Sequence, residues 1–167
     1  MFIRLKKIKN NQYAYLVENT WKKRKQSSRQ QVKAYLGRVL PAPHQKITMS
    51  SINIQEKEYS LALLSILQSQ LLQYGFQEKN GKLQYEDIII DLNNKTVTRE
   101  GKDVVLKMHD GYLCSHSIKK ALQFQGEGYE EQVGLQLAET LVGVGLDLPQ
   151  EMFIQLFEKI YRAPKED

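Results

Sequence analysis

Three groups of side chains in this sequence have the types and spacing from which chemistry could arise. His109, Asp110, Cys114 and His116 place four metal-capable groups within one short stretch. A structural zinc site needs four ligands, usually as two spaced pairs, and no second pair stands elsewhere, so we expect a helix-start loop with a buried cysteine. Asp91 followed by Glu100-x-Lys102 has the residue types of a metal-dependent nuclease: two carboxylates for a divalent ion and a lysine to orient water. Gly101 marks a turn where a catalytic strand would continue, and this weighs against that reading. The third group is Tyr13, Tyr15, Trp21 and Tyr35, interleaved with Arg4, Lys6, Lys7, Lys9, Lys22, Lys23, Arg24, Lys25, Arg29, Lys33 and Arg38. Cations recruit phosphates by releasing counterions, and aromatic faces stack on unpaired bases. These residues are the expected nucleic-acid-binding site.

Nothing supports nucleophilic catalysis. Cys114 has only His116 nearby in sequence to activate it. The stretch Val142-Gly143-Val144-Gly145 lacks the lysine of a phosphate loop and follows a helical pattern. We expect no catalytic residue, no metal and no cofactor.

The charge distribution points the same way. Of the 24 Lys and Arg residues, twelve fall within the first 46 positions, against one of the 19 acids, Glu18. That segment therefore carries +11 and the remainder −6, a polarity hidden inside an overall +5. A basic end favours a polyanion. Between Gly126 and Tyr161 seven acids stand against one base, Lys159, so the closing helices do not suit phosphate contact. Their acidic faces suit a protein partner or the chain's own basic sheet. A single cysteine fits a reducing cytosol, and no stretch approaches the roughly 18 apolar residues of a membrane span, so a cytoplasmic protein with no membrane contact is expected.

The elements that must position the aromatic and basic residues read as strands. Phe2–Lys9 and Gln12–Trp21 form a hairpin around Asn10-Asn11, Lys22–Ser28 a basic loop, and Gln30–Val39 a third strand. Tyr13, Tyr15 and Val17 share one face of the second strand, and Ala14, Leu16 and Glu18 the other. A curled sheet with one face on a core and an aromatic face open to a ligand follows. Pro41-Ala42-Pro43 is the expected linker. Beyond it, residues 56–74 have helical spacing, stopped by Gly75. A meander of Asp87–Leu92, Thr96–Arg99 and Val104–Lys107 turns at Glu100-Gly101. Three helices follow: one capped by Ser115 or Ser117 and running to Phe124, one over Tyr129–Val142, and one starting near Asp147 and Pro149.

The string MFIRLKKIKN…YAYLVEN…RQQVKAYLGRV resembles the β-rich N-terminal segment of some DDE-type insertion-sequence transposases, and the opening of small uncharacterised archaeal proteins. Phe2, Ile3, Arg4, Lys6, Tyr15, Leu16, Val17, Glu18, Arg29, Gln30, Leu36, Gly37 and Arg38 carry it, over about a quarter of the chain. The resemblance implies nucleic-acid engagement without chemistry, because no set of three strand-end carboxylates follows. Ile90-Asp91-Leu92…Thr96–Lys102…Val105-Leu106 is similar to the small sheet that opens response-regulator winged-helix domains. Here no basic recognition helix follows it.

The expected fold is α+β: a basic N-terminal antiparallel three-stranded sheet (1–40), a linker (41–55), and a domain (56–167) of a helix, a β-meander and a C-terminal three-helix unit. The expected function is non-catalytic binding of nucleic acid, with RNA or a ribonucleoprotein such as the ribosome favoured over DNA. The alternatives are a protein–protein adaptor with a basic docking face and a mobile-element-derived DNA-binding protein.

Overall fold

The computed structural model describes residues 1–22, 27–43 and 52–161, except the side chains of Lys22 and Ser27. It is a mixed α+β fold with nine strands and four helices among those residues. Strand β1 (Phe2–Ile8) pairs antiparallel with β2 (Asn11–Lys22), and β2 with β3 (Ser27–Pro41). After α1 (Tyr59–Gln73) come the short strands β4 (Gln77–Lys79), β5 (Lys82–Tyr85), β6 (Ile88–Asp91) and β7 (Thr96–Arg99). Then follow β8 (Lys102–Met108), β9 (Gly111–Leu113), α2 (Ser115–Leu122), α3 (Glu130–Val144) and α4 (Gln150–Ile160).

The expected three-stranded sheet is not a separate sheet. β3 pairs parallel with β8, from Arg38↔Val104 to Pro41↔Lys107, and this joins all strands in the order β1-β2-β3-β8-β7-β6-β5-β4, with β9 also on β8. The physical reason lies in the run Val104-Val105-Leu106. Its residues point alternately to opposite faces, and all three are buried, as a strand covered on both sides requires. Val104, Leu106 and Met108 enter the main core with Leu40, α1 and the C-terminal helices, while Val105 packs with Ala14 and Cys114 on the opposite face. Val39 and Leu40 divide between these two cores in the same way.

β3 also runs into the stretch expected as a linker. Pro41 is its last residue, the Ala42 N–H donates to the Lys107 carbonyl at 3.0 Å, and Ala42 and Ile54 are buried in the main core. Positions 44–51 lie outside the described residues. With the Ala42 N–H directed to β8, the Pro41 nitrogen faces the other side, where β2 pairs only as far as Val39, so the missing N–H breaks no ladder bond.

Other differences are local. The first hairpin turns at Lys9-Asn10, with Lys9 at φ +54, and Asn11 belongs to β2. An additional hairpin, β4–β5, turns at Asn80-Gly81, where both residues have positive φ as a type I′ turn demands. Glu100-Gly101 makes the same kind of turn between β7 and β8. At α2 the cap is Cys114, and Ser117 serves from inside the first turn. Its hydroxyl accepts the Cys114 N–H at 2.9 Å and donates to the Tyr112 carbonyl at 2.7 Å. Among the described residues no helix is long and apolar enough to cross a membrane.

Gly37 sets the approach of β3 to β8. It has φ +130, and a Cβ there would lie 2.4 Å from the Asp103 carbonyl oxygen and 2.8 Å from the Val104 Cα. Both obstacles are backbone, so neither can swing aside. Gly37→Ala is therefore expected to lower unfolding free energy by about 3 kcal/mol or more, combining a disfavoured φ with a backbone clash. Chemical denaturation of the two proteins checks this; an unchanged midpoint would show that the strand pairing tolerates a side chain.

Candidate nucleic-acid interface

The interface is built from the alternation of β2. Arg4↔Tyr15, Lys6↔Tyr13 and Tyr13↔Arg38 are cross-strand partners, so these side chains project from one face of the sheet. Ile3↔Leu16 and Leu5↔Ala14 project from the other, where Ile3, Leu5, Leu36 and Val39 pack with Ala14, Val105 and Cys114. One face is core and the other is left to solvent except at Val17, which is buried on the tyrosine face with Phe2 and Val32 as its cross-strand partners. Two irregularities interrupt the β2–β3 register, at Ala14/Tyr15 and Leu16/Val17, and the first of them changes which β3 residue meets Tyr15. It brings Tyr35 opposite Tyr15 while Arg38 remains opposite Tyr13.

The result is a cluster of three tyrosines bordered by cations. The Tyr35 ring centroid lies 5.4 Å from that of Tyr15 and 6.4 Å from that of Tyr13. Tyr35 is 56% exposed, and Tyr13 and Tyr15 are half-buried beneath it. Partial burial, with Tyr13 and Tyr15 beside it, raises the pKa of the Tyr35 hydroxyl, which is a neutral donor at physiological pH with or without that shift. A neutral hydroxyl beside Arg4, Lys6 and Arg38 adds no charge that would repel phosphate. Arg38 is positioned by Asn11, whose side-chain oxygen accepts from its guanidinium at 2.6 Å. Arg4 donates to the Gln30 side-chain oxygen.

The remaining expected residues divide by face. Trp21 continues the tyrosine face further along β2 and is 63% exposed. Lys7 and Arg29 are exposed but project from the opposite face, as their partners Gln12 and Thr20 show, and Lys9 sits in the first turn. Lys33 also lies off the tyrosine face. Its ammonium pairs with Glu18 at 2.8 Å, and this hydrogen bond and charge hold the Glu18 carboxyl below its ordinary pKa. Lys22 lies at the end of β2, and Lys23, Arg24 and Lys25 lie outside the described residues.

Sequence spacing alone did not reveal the role of Gln30 and Asn11 as supports of Arg4 and Arg38. Both sit across strands from the cations they hold, and only the register brings them together.

The two other constellations do not converge. Asp91 closes β6 opposite Thr96 at the start of β7, whereas Glu100 follows Arg99 at the far end of that strand. Four residues of extended chain separate them, roughly 13 Å. Asp91 is instead a local staple: its carboxylate accepts the Asn94 backbone N–H at 2.9 Å and side-chain amide at 2.8 Å, with Lys82 at 3.4 Å. His109 is exposed, in a left-handed turn, its Nε2 2.8 Å from the Tyr74 hydroxyl, whereas Cys114 is buried beneath the N-terminal strands. Burial, with Lys120 and Lys119 nearby, lowers the pKa of His116 and favours its neutral ring. Among the described residues no three His, Cys, Asp or Glu side chains are grouped to hold a metal ion.

No family model, curated protein or solved structure matches the chain.

The Asn94 hydrogen bonds, chiefly from its backbone N–H, hold Asp91 below its ordinary pKa of 3.8. A depressed folded pKa contributes stability that is complete above the unfolded value and is lost as pH falls through the folded value. Asp91→Asn is thus expected to cost about 1 to 2 kcal/mol at pH 7, with the gap to wild type closing below about pH 4. Denaturant titrations at several pH values check this; a gap that persists unchanged into acid would place the cost elsewhere.

Proposed function

We propose that this chain is a non-catalytic nucleic-acid-binding protein that engages RNA, alone or within a ribonucleoprotein such as the ribosome, in preference to DNA. The observation that carries the reading is the solvent face of the β1–β3 strands, where Tyr13, Tyr15 and Tyr35 lie among Arg4, Lys6 and Arg38. Base rings stack on such rings regardless of sequence, and the surrounding cations hold the backbone by counterion release. Continuous duplex hides its base faces, whereas folded RNA offers unpaired ones, and this favours RNA. The reading sets the protein in the cytoplasm and asks for no cofactor.

A second surface supports a protein partner. Ala138, Leu141, Val142, Leu146, Leu148 and Phe153 line an open apolar groove of about 350 Å³ between α3 and α4, with Asp147 at its edge. On this reading the acidic helices dock a protein while the basic sheet holds nucleic acid.

Tyr35→Ala is expected to weaken binding of a single-stranded RNA by about tenfold, the loss of one stacked base, with little change in unfolding midpoint because the ring is largely exposed. Lys6→Ala and Arg38→Ala should each flatten the dependence of log K on log salt by about 0.7. Fluorescence anisotropy across a salt series reads both; affinity and slope that ignore all three substitutions would contradict the proposal.

A further inference from the structure

β2 and β3 continue past the edge of the sheet. β1 covers β2 only from Asn11 to Val17, and β8 meets β3 only at Arg38–Pro41. Between Glu18↔Gln31 and Lys22↔Ser27, the two strands pair with each other and, among the described residues, with no third strand. They form a two-stranded arm of five residue pairs, roughly 17 Å long.

The composition of this arm is unlike that of a packing hairpin. Its described side chains are Glu18, Asn19, Thr20, Trp21, Ser28, Arg29, Gln30 and Gln31, and Asn19, Trp21, Ser28, Arg29, Gln30 and Gln31 are all exposed. Apart from the one tryptophan they are polar, and Asn, Gln, Arg, Ser and Thr are the side chains that hydrogen-bond base edges. Asn19 and Trp21, with their partners Gln30 and Ser28, project from the same face as Tyr15 and Tyr35. The base-stacking cluster and the polar ribbon therefore lie on one face, with the apolar row Phe2, Val17 and Val32 between them.

A two-stranded ribbon fits an open major groove, but the deep, narrow major groove of regular A-form RNA refuses it. Unpaired nucleotides interrupt the regular helix and open that groove beside them. We infer that the ligand is a junction in folded RNA, where the tyrosine cluster stacks the unpaired bases and the arm enters the widened groove of the adjoining helix. This rests on the nucleic-acid-binding reading above and names its substrate class.

The test compares four labelled probes with the full chain by fluorescence anisotropy: an RNA hairpin with a short bulge, the same hairpin fully paired, the unpaired strand carrying the bulge sequence, and the fully paired DNA duplex. The bulged hairpin should bind at least about tenfold more tightly than each of the others, since only it engages both surfaces. Asn19→Ala combined with Ser28→Ala should bring the bulged hairpin down to the affinity of the unpaired strand and leave the unpaired strand within about twofold, since both are polar residues of the arm outside the stacking cluster. Equal binding of the unpaired strand and the bulged hairpin overturns the junction while sparing nucleic-acid binding. Equal or tighter binding of a fully paired helix also overturns it, and a preference for the DNA duplex makes the arm a DNA reader. Binding to none of the four removes both this inference and the reading beneath it.

Discussion

Four parallel residue pairs, Arg38↔Val104 to Pro41↔Lys107, hold the N-terminal strands to the rest of the molecule. They require the β3 backbone to come within contact of Asp103, which is possible because position 37 has no Cβ and adopts φ +130. Everything placed on the tyrosine face depends on this seam. It buries Val39 and Val105 on one side and Leu40, Val104 and Leu106 on the other. The side chains of β1 and β2 that point inward thereby gain a core, and those that point outward are left to solvent. Without it, three strands this basic would have little apolar surface to cover, and the tyrosines would be drawn into whatever core they could make.

The face is also shaped by the irregularities between β2 and β3. A regular antiparallel ladder would keep residue partners in constant sum along the strands. Instead Ala14 meets Gly37 and Tyr15 meets Tyr35, which leaves Leu36 without a partner on β2 and brings Tyr35 opposite Tyr15.

Much of the arrangement was legible in the sequence, for reasons particular residues make plain. Alternation in Tyr13-Ala14-Tyr15-Leu16 separates an aromatic face from an apolar one, because strand side chains have period two, and the register bears this out. The helical spacing before Gly75 and the turn at Glu100-Gly101 are local signals, and local structure answers them. The parallel seam was not legible, since it joins residues far apart in sequence and no local pattern names its partner. Val104-Val105-Leu106 carried a trace of it: a strand apolar on both faces demands cover on both. Asn80-Gly81 was an open hairpin signal, and the strands beside it are short and mostly exposed, with little apolar alternation to accompany it. Among the candidate residues, sequence could place Lys33 in the basic segment but not against Glu18, whose side chain lies one strand away.

The central claim is that the solvent face of the N-terminal strands, not the acidic helices, receives nucleic acid. Amide and aromatic NMR shifts recorded while a short unpaired RNA is titrated into the protein test it most directly. The account predicts perturbations concentrated at Arg4, Lys6, Tyr13, Tyr15, Tyr35 and Arg38, with the residues of α3 and α4 unmoved. Perturbations centred on the α3–α4 groove, or none at the tyrosines, would contradict it.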